Sequence, residues 1–182
     1  LIPGDISNEG RAVKQQHLEI VEKFRKFEEE TGKQIYVING NHDAGKGENE
    51  GETSLAEFRE IYYEFGFQEA LSTMEGNLSY TADLNEKYRL IASDSCDINR
   101  STGDGMTEDR VEWVVKEAEK AFADGKYPIL MMHHNLLDHM PIQGLLSKDF
   151  IIRNHMSTAE KFANAGIKMV FTGHEHCSDA NT

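Results

Sequence analysis

A mixed α/β domain, with helices outside its sheets, is the fold class that this chain predicts. Three observations carry it. Short apolar runs alternate with segments of helical periodicity in the order strand, helix, strand, helix, hairpin, helix, strand, helix, strand, which is the pattern of α/β layering. The hairpin, with strands Asn77 to Leu84 and Lys87 to Ser93 around Asn85-Glu86, excludes a purely parallel sheet. Four of the apolar runs stop at Asp, Asn or His, so polar chemistry collects beyond the strand ends, where ligands of such sheets gather.

Leu1-Ile2-Pro3-Gly4-Asp5 opens the chain as a strand. Glu9 to Thr31 reads as an amphipathic helix: Val13, His17, Ile20, Phe24 and Phe27 recur at spacings of four and three, and Gly32 marks its end. His17, on that stripe, reads as a core histidine. Gln34 to Ile38 is a short buried strand, and Asn41 to Thr53 a polar, Gly-rich loop. Ser54 caps a helix that runs to Phe65 and stops at Gly66. After the hairpin, Asp94 to Met106 is a polar loop. Thr107 then caps a helix with Glu108 and Asp109 in its first turn and Val111, Val114, Val115, Ala118 and Phe122 as its buried stripe. Tyr127 to Met132 is a strand and His133 to Lys148 a long loop. A helix ending near Gly166 turns Met156, Ala159, Phe162 and Ala163 inward, and Ile167 to Thr172 is the last strand.

At 182 residues the chain is expected to form one domain, residues 1–182, with a sizeable core. The formal net charge of −13 argues against a broad duplex-DNA surface, which needs Lys and Arg to neutralise phosphates. A phosphate-bearing substrate stays compatible with it, because bound cations reverse the sign locally. Cys96 and Cys177 form no disulfide framework and are expected to be free thiols. No apolar stretch approaches the roughly 20 residues of a membrane helix. The chain begins without Met inside a strand and ends just past a candidate ligand loop. It is expected to be a piece of a longer protein trimmed at both ends, which leaves its compartment unassigned.

The chemistry lies in four stretches: Gly4-Asp5, Gly40-Asn41-His42-Asp43, His133-His134, and Gly173-His174-Glu175-His176. Each closes an apolar strand with a carboxylate, an amide oxygen or an imidazole, donor types that suit divalent transition metals. In this order they resemble the calcineurin-like metallophosphoesterase family, over essentially the whole chain. The resemblance implies an α/β/β/α sandwich and a binuclear centre of Mn, Fe or Zn, at which a metal-activated hydroxide attacks a phosphoester substrate. It implies that Asp5 bridges both ions, that Asn41, His133 and His174 complete the second site, and that His176 belongs to the first. Neutral ligands leave such a pair net positive, so it attracts a phosphate ester to an acidic protein.

His42 is implied to stabilise the phosphoryl charge or to protonate the leaving alkoxide. The Asp that orients this His in phosphatase branches is replaced by Asn8, with Asp43 as a possible substitute. The family's opening Asp-x-His motif has no match, so this chain is expected to hold its second ion more tightly than its first, or to hold one ion. His134, adjacent to the preferred ligand His133, is expected beside the centre or facing substrate, and His139 is a candidate substrate contact. Asn8 tilts the reading toward a phosphodiesterase. A phosphomonoesterase (nucleotidase or protein phosphatase) and a catalytically impaired metal- or protein-binding module remain alternatives.

Overall fold

The computed structural model describes residues 1–99, 105–140, 143 and 149–181. The elements are β1 (Ile2–Pro3), α1 (Lys14–Thr31), β2 (Val37–Ile38), α2 (Leu55–Ile61), a π-helical turn (Tyr63–Phe67), β3 (Ser72–Thr73), β4 (Tyr80–Asp83), β5 (Tyr88–Ser93), α3 (Glu108–Ala123), β6 (Tyr127–Met132), α4 (His155–Asn164) and β7 (Val170–Phe171). Strands β1 and β2 pair in parallel as a two-stranded sheet, and the other five form a sheet in the order β3-β4-β5-β6-β7. Within the larger sheet β3, β4 and β5 are antiparallel, while β5, β6 and β7 run parallel. The result is a mixed α/β fold, two sheets flanked by helices. Parts of the loops read at Asp94 to Met106 and His133 to Lys148 lie outside the described residues, as does Thr182.

Helix α1 starts at Lys14, not Glu9. The backbone N–H groups of Ala12 and Val13 both donate to the Glu9 carbonyl, and that of Arg11 donates to the His42 carbonyl, so residues 9–13 form a turn tied to the next loop. The buried face is His17 and Val21, with Phe24 packed on the core from its rim. Val13 and Phe27 are exposed. Val13 is the cap, and at about 100° per residue Phe27 sits roughly 80° around the helix from His17. Ser54 caps α2 in a reciprocal box: its Oγ accepts from the Glu57 N–H, and the Glu57 carboxylate accepts from the Ser54 N–H. The regular helix ends at Ile61, before Gly66, where φ is +116° and the backbone presses against Tyr80. The Tyr80 hydroxyl then donates to the Val37 carbonyl and so joins the two sheets.

Strands β5 and β6 pair from Tyr88–Tyr127 to Ser93–Met132. Their core face meets Val111, Val114 and Ala118 of α3 and Phe162 of α4. Phe122 is exposed at the far edge, where its ring packs on Tyr127. In α4 the buried residues are Thr158 and Phe162, whereas Met156, 66% exposed, and Ala163 face outward. The second cluster, around Val37, Ile38, Phe58, Tyr62 and Phe65, fills the space beneath α1 and α2. No helix among the described residues is long and apolar enough to cross a membrane.

Candidate metal centre

Parallel pairing gathers the four stretches. Register partners Pro3 and Ile38 put Asp5 beside Gly40 and Asn41, two and three residues beyond them. Register partners Met131 and Phe171 put His133 beside Gly173, whose N–H donates to the His133 carbonyl at 2.9 Å. The loops close tightly because a side chain at Gly4 has no room: a Cβ there would lie 2.5 Å from the Gly40 nitrogen and 2.6 Å from His133 Nδ1, and φ is +83°. Three non-glycine residues also hold positive φ here: Asp5 (48°), His174 (72°) and His176 (52°). Such conformations cost of order 1–3 kcal/mol each and concentrate at functional sites.

Four acceptor atoms converge. His133 Nε2 lies 3.0 Å from Asn41 Oδ1, 2.9 Å from His174 Nδ1 and 3.4 Å from Asp5 Oδ2, and the last is 4.0 Å from His174 Nδ1. Two ligands held about 2.0–2.2 Å from one ion at angles near 90–110° are separated by about 2.8–3.6 Å. Three of the four spacings fall in that window, and the fourth suits a wider angle.

The opposite ring nitrogens set the tautomers. His133 Nδ1 donates to the Pro3 carbonyl at 2.9 Å, and His174 Nε2 donates to the Asp149 carbonyl at 3.2 Å. Each ring therefore turns its lone pair to the common point. A single proton on His133 Nε2 can aim at only one of its three acceptors, whereas a cation satisfies all four atoms. The donor set thus fits a divalent metal ion. Among the described residues Asp5, His133 and His174 form the group of His, Cys, Asp or Glu able to hold one. Burial opposes charge on Asp5, but the adjoining His133 and His174 side chains and the hydrogen bond from the His42 N–H outweigh it and hold this carboxyl well below the ordinary range.

Around this point the remaining candidates separate. His42 is exposed, and its Nδ1 donates to the backbone carbonyl of Asn8 at 3.0 Å. The orienting contact therefore comes from the main chain of Asn8, which is exposed. Asp43 does not orient His42. It is fully buried and accepts from the Ser7 N–H at 2.9 Å and the Gly40 N–H at 2.7 Å. Burial pushes its carboxyl up to about 7, although those N–H groups oppose the shift. Its own carbonyl receives the Nε2 proton of His17, whose Nδ1 meets the Tyr62 hydroxyl at 2.7 Å, so the core histidine braces this loop. His134 is fully buried and lies against the Ser95 hydroxyl. His176 is exposed and stands outside the converging group, as does Cys177. His139 pairs with Asp179 at 3.0 Å and lines a cavity of about 1130 Å³ between α4 and β7, which none of the converging residues reaches.

The family profile of calcineurin-like phosphoesterases matches residues 1–178. The chain belongs to that family. No curated protein matches the chain. As a calcineurin-like phosphoesterase it is a metal-dependent phosphoester hydrolase in general terms. The four contacts that orient its site residues, from Pro3, Asn8, Asp149 and Ser95, were missed in the sequence. Three are main-chain carbonyls, which leave no mark on residue type. Ser95 carried one faint signal: it lies as far beyond Ser93 as His134 lies beyond Met132.

Proposed function

We propose that this calcineurin-like phosphoesterase hydrolyses phosphodiesters, with Asp5, Asn41, His133 and His174 holding a divalent ion and His176 available to a second. The observation that carries the reading is the convergence of four lone-pair atoms at the spacing of a coordination shell, two of them on rings whose far nitrogens are tied to carbonyls. When bound, the ions polarise the phosphoryl oxygens and make an attacking water more acidic. The chain's own residues do the rest. Asp5, ionised across the neutral range, supplies the anionic oxygen of the site. Asn41 and the two imidazoles add no charge, so the loaded centre stays positive toward a phosphate ester.

His42 handles the proton. Its Nδ1 is committed to the Asn8 carbonyl, which leaves Nε2 at the exposed rim; in the doubly protonated ring that nitrogen gives its proton to the leaving alkoxide oxygen and keeps the lone pair. A backbone carbonyl places no negative charge behind the His42 ring, where phosphatase branches place a carboxylate. A singly charged diester also asks for less positive charge than a doubly charged monoester, and this supports the diesterase preference. Bis-nitrophenyl and mono-nitrophenyl phosphate, tested with Mn before and after chelation, give the check. Faster, metal-dependent hydrolysis of the diester is expected, and a strong monoester preference would overturn it. His42→Ala is expected to lower kcat more for a poor alkoxide leaving group than for nitrophenolate; equal losses would remove His42 from the proton transfer.

A further inference from the structure

A third imidazole stands beside the two proposed ligands, and it is as deeply enclosed as His133. His134 and Ser95 are both fully buried. The His134 ring meets His133 edge-on at a centroid separation of 5.2 Å and His174 at 4.8 Å, while those two rings are 4.6 Å apart. The three form a nearly equilateral triangle of imidazoles, closed on the His174 side by Phe150 at 4.7 Å.

Ser95 fixes the third corner. Its Oγ accepts the backbone N–H of His134 at 3.0 Å and lies 2.9 Å from His134 Nδ1. Strands β5 and β6 are in register up to Ser93 and Met132, and Ser95 and His134 are each two residues further on. The serine hydroxyl thus takes the place of the next ladder contact where the strands part. With its one donor on Nδ1, the hydroxyl leaves His134 carrying its proton on Nε2, and that nitrogen has no hydrogen-bond partner among the described residues.

Each proposed ligand ring is pinned by one hydrogen bond to a carbonyl, which still permits it to rock about that bond. We propose that His134, anchored by Ser95, is a positioning residue that locks the ring planes of His133 and His174 and so sets the affinity and geometry of the bound ion. The inference rests on the metal-centre reading given above. Outer partners of metal ligands commonly govern about 10–100-fold of affinity.

The test is titration of the apo protein with Mn by calorimetry and with Co by its visible absorption. Wild-type chain, His134→Ala, His134→Phe and Ser95→Ala are compared, with folding checked by circular dichroism. His134→Ala is expected to weaken binding about tenfold or more and to change the Co band positions. His134→Phe, which keeps a ring in the corner, is expected to restore most of the affinity. Ser95→Ala, which releases the anchor, is expected to weaken binding several-fold, and it carries the test if His134→Ala does not fold. Wild-type affinity and an unchanged Co spectrum in folded His134→Ala or Ser95→Ala would overturn the positioning role alone. Absence of binding by the wild-type chain would overturn the metal centre itself.

Discussion

The loops after β1 and β2 and the loops after β6 and β7 deliver ligands to one point, but opposite devices hold them. On the first side an acid gathers main-chain donors: Asp43 takes the N–H groups of Ser7 and Gly40, and Asp5 takes that of His42. On the second side imidazoles give their protons to main-chain carbonyls, and Ser95 anchors the third ring. The first device contains a carboxyl that burial pushes up to about 7, whereas the second contains a histidine held near 3, neutral throughout the physiological range. The two sides therefore carry pH dependences of opposite sign: the raised carboxyl stabilises toward acid and the depressed imidazole toward neutral pH.

The largest expected effects come from removing one ligand on each side. Asp5→Asn keeps a residue that tolerates the positive φ of this position but removes the charge. His133→Ala removes the atom about which the other three are arranged. Each is expected to weaken Mn binding by more than the roughly 100-fold upper range seen for outer partners. A loss below tenfold in Asp5→Asn, measured by equilibrium dialysis, would break the comparison by making the carboxylate side dispensable.

A second effect falls on stability. Asp43→Ala leaves the N–H groups of Ser7 and Gly40 buried without their acceptor. At about 1–3 kcal/mol for each of the two unmet groups, the chelator-treated protein is expected to lose roughly 2–6 kcal/mol. Urea unfolding checks this, and a loss under about 1 kcal/mol would mean that other groups clamp the loops.

The pH dependence follows with a definite sign. The Asp43 carboxyl is raised in the folded state relative to its ordinary value of 3.8, so between about 4 and about 7 the native state holds a proton that the unfolded state has released. Its contribution to stability is complete below about 4 and is lost as pH rises to about 7. In Asp43→Asn that contribution is expected to vanish from the chelator-treated protein, whereas His134→Phe, which removes the opposing contribution of a depressed histidine, is expected to make stability fall more steeply as pH rises. Equal slopes in wild type and Asp43→Asn would show that the sensitivity lies elsewhere.

Much of this architecture was legible because local signals and tertiary pairing agree. β6 was read to the residue, since Tyr127–Met132 is a continuous apolar run that pairs with β5 and β7, and the hairpin follows from Asn85-Glu86 between two runs of strand character. The start of α1 was misread because the turn at 9–13 is held by the His42 carbonyl, a long-range contact with no local trace. β3 was missed: Ser72–Thr73 is two polar residues and is a strand only through its pairing with β4. In the site, the ligand types were legible as Asp, Asn and His after apolar runs. What orients them was not, because Pro3, Asn8 and Asp149 act through carbonyls that every residue possesses. Asp43 was legible as a polar neighbour but not in its role, since whether a carboxylate faces a histidine or two backbone amides depends on the closure of the loops around Gly4 and Gly40.

The smallest effect sharpens the comparison from outside it. The box at the start of α2 is also a carboxylate that gathers a backbone N–H, but it is partly open to solvent, and Glu57 is held down to about 2 by Lys14 at 2.5 Å and by Ser54. Its sign is therefore the reverse of that of Asp43: the contribution is present above the ordinary value of 4.5 and is lost as pH falls toward 2. Ser54→Ala is expected to cost about 1 kcal/mol and to leave Mn affinity unchanged. The same acceptor chemistry thus stabilises toward acid when buried at the centre and toward neutral pH when exposed at a helix end. A measured Mn affinity that moves with Ser54→Ala would mean that α2 and the loop from Asn41 to Thr53 are part of what the centre rests on.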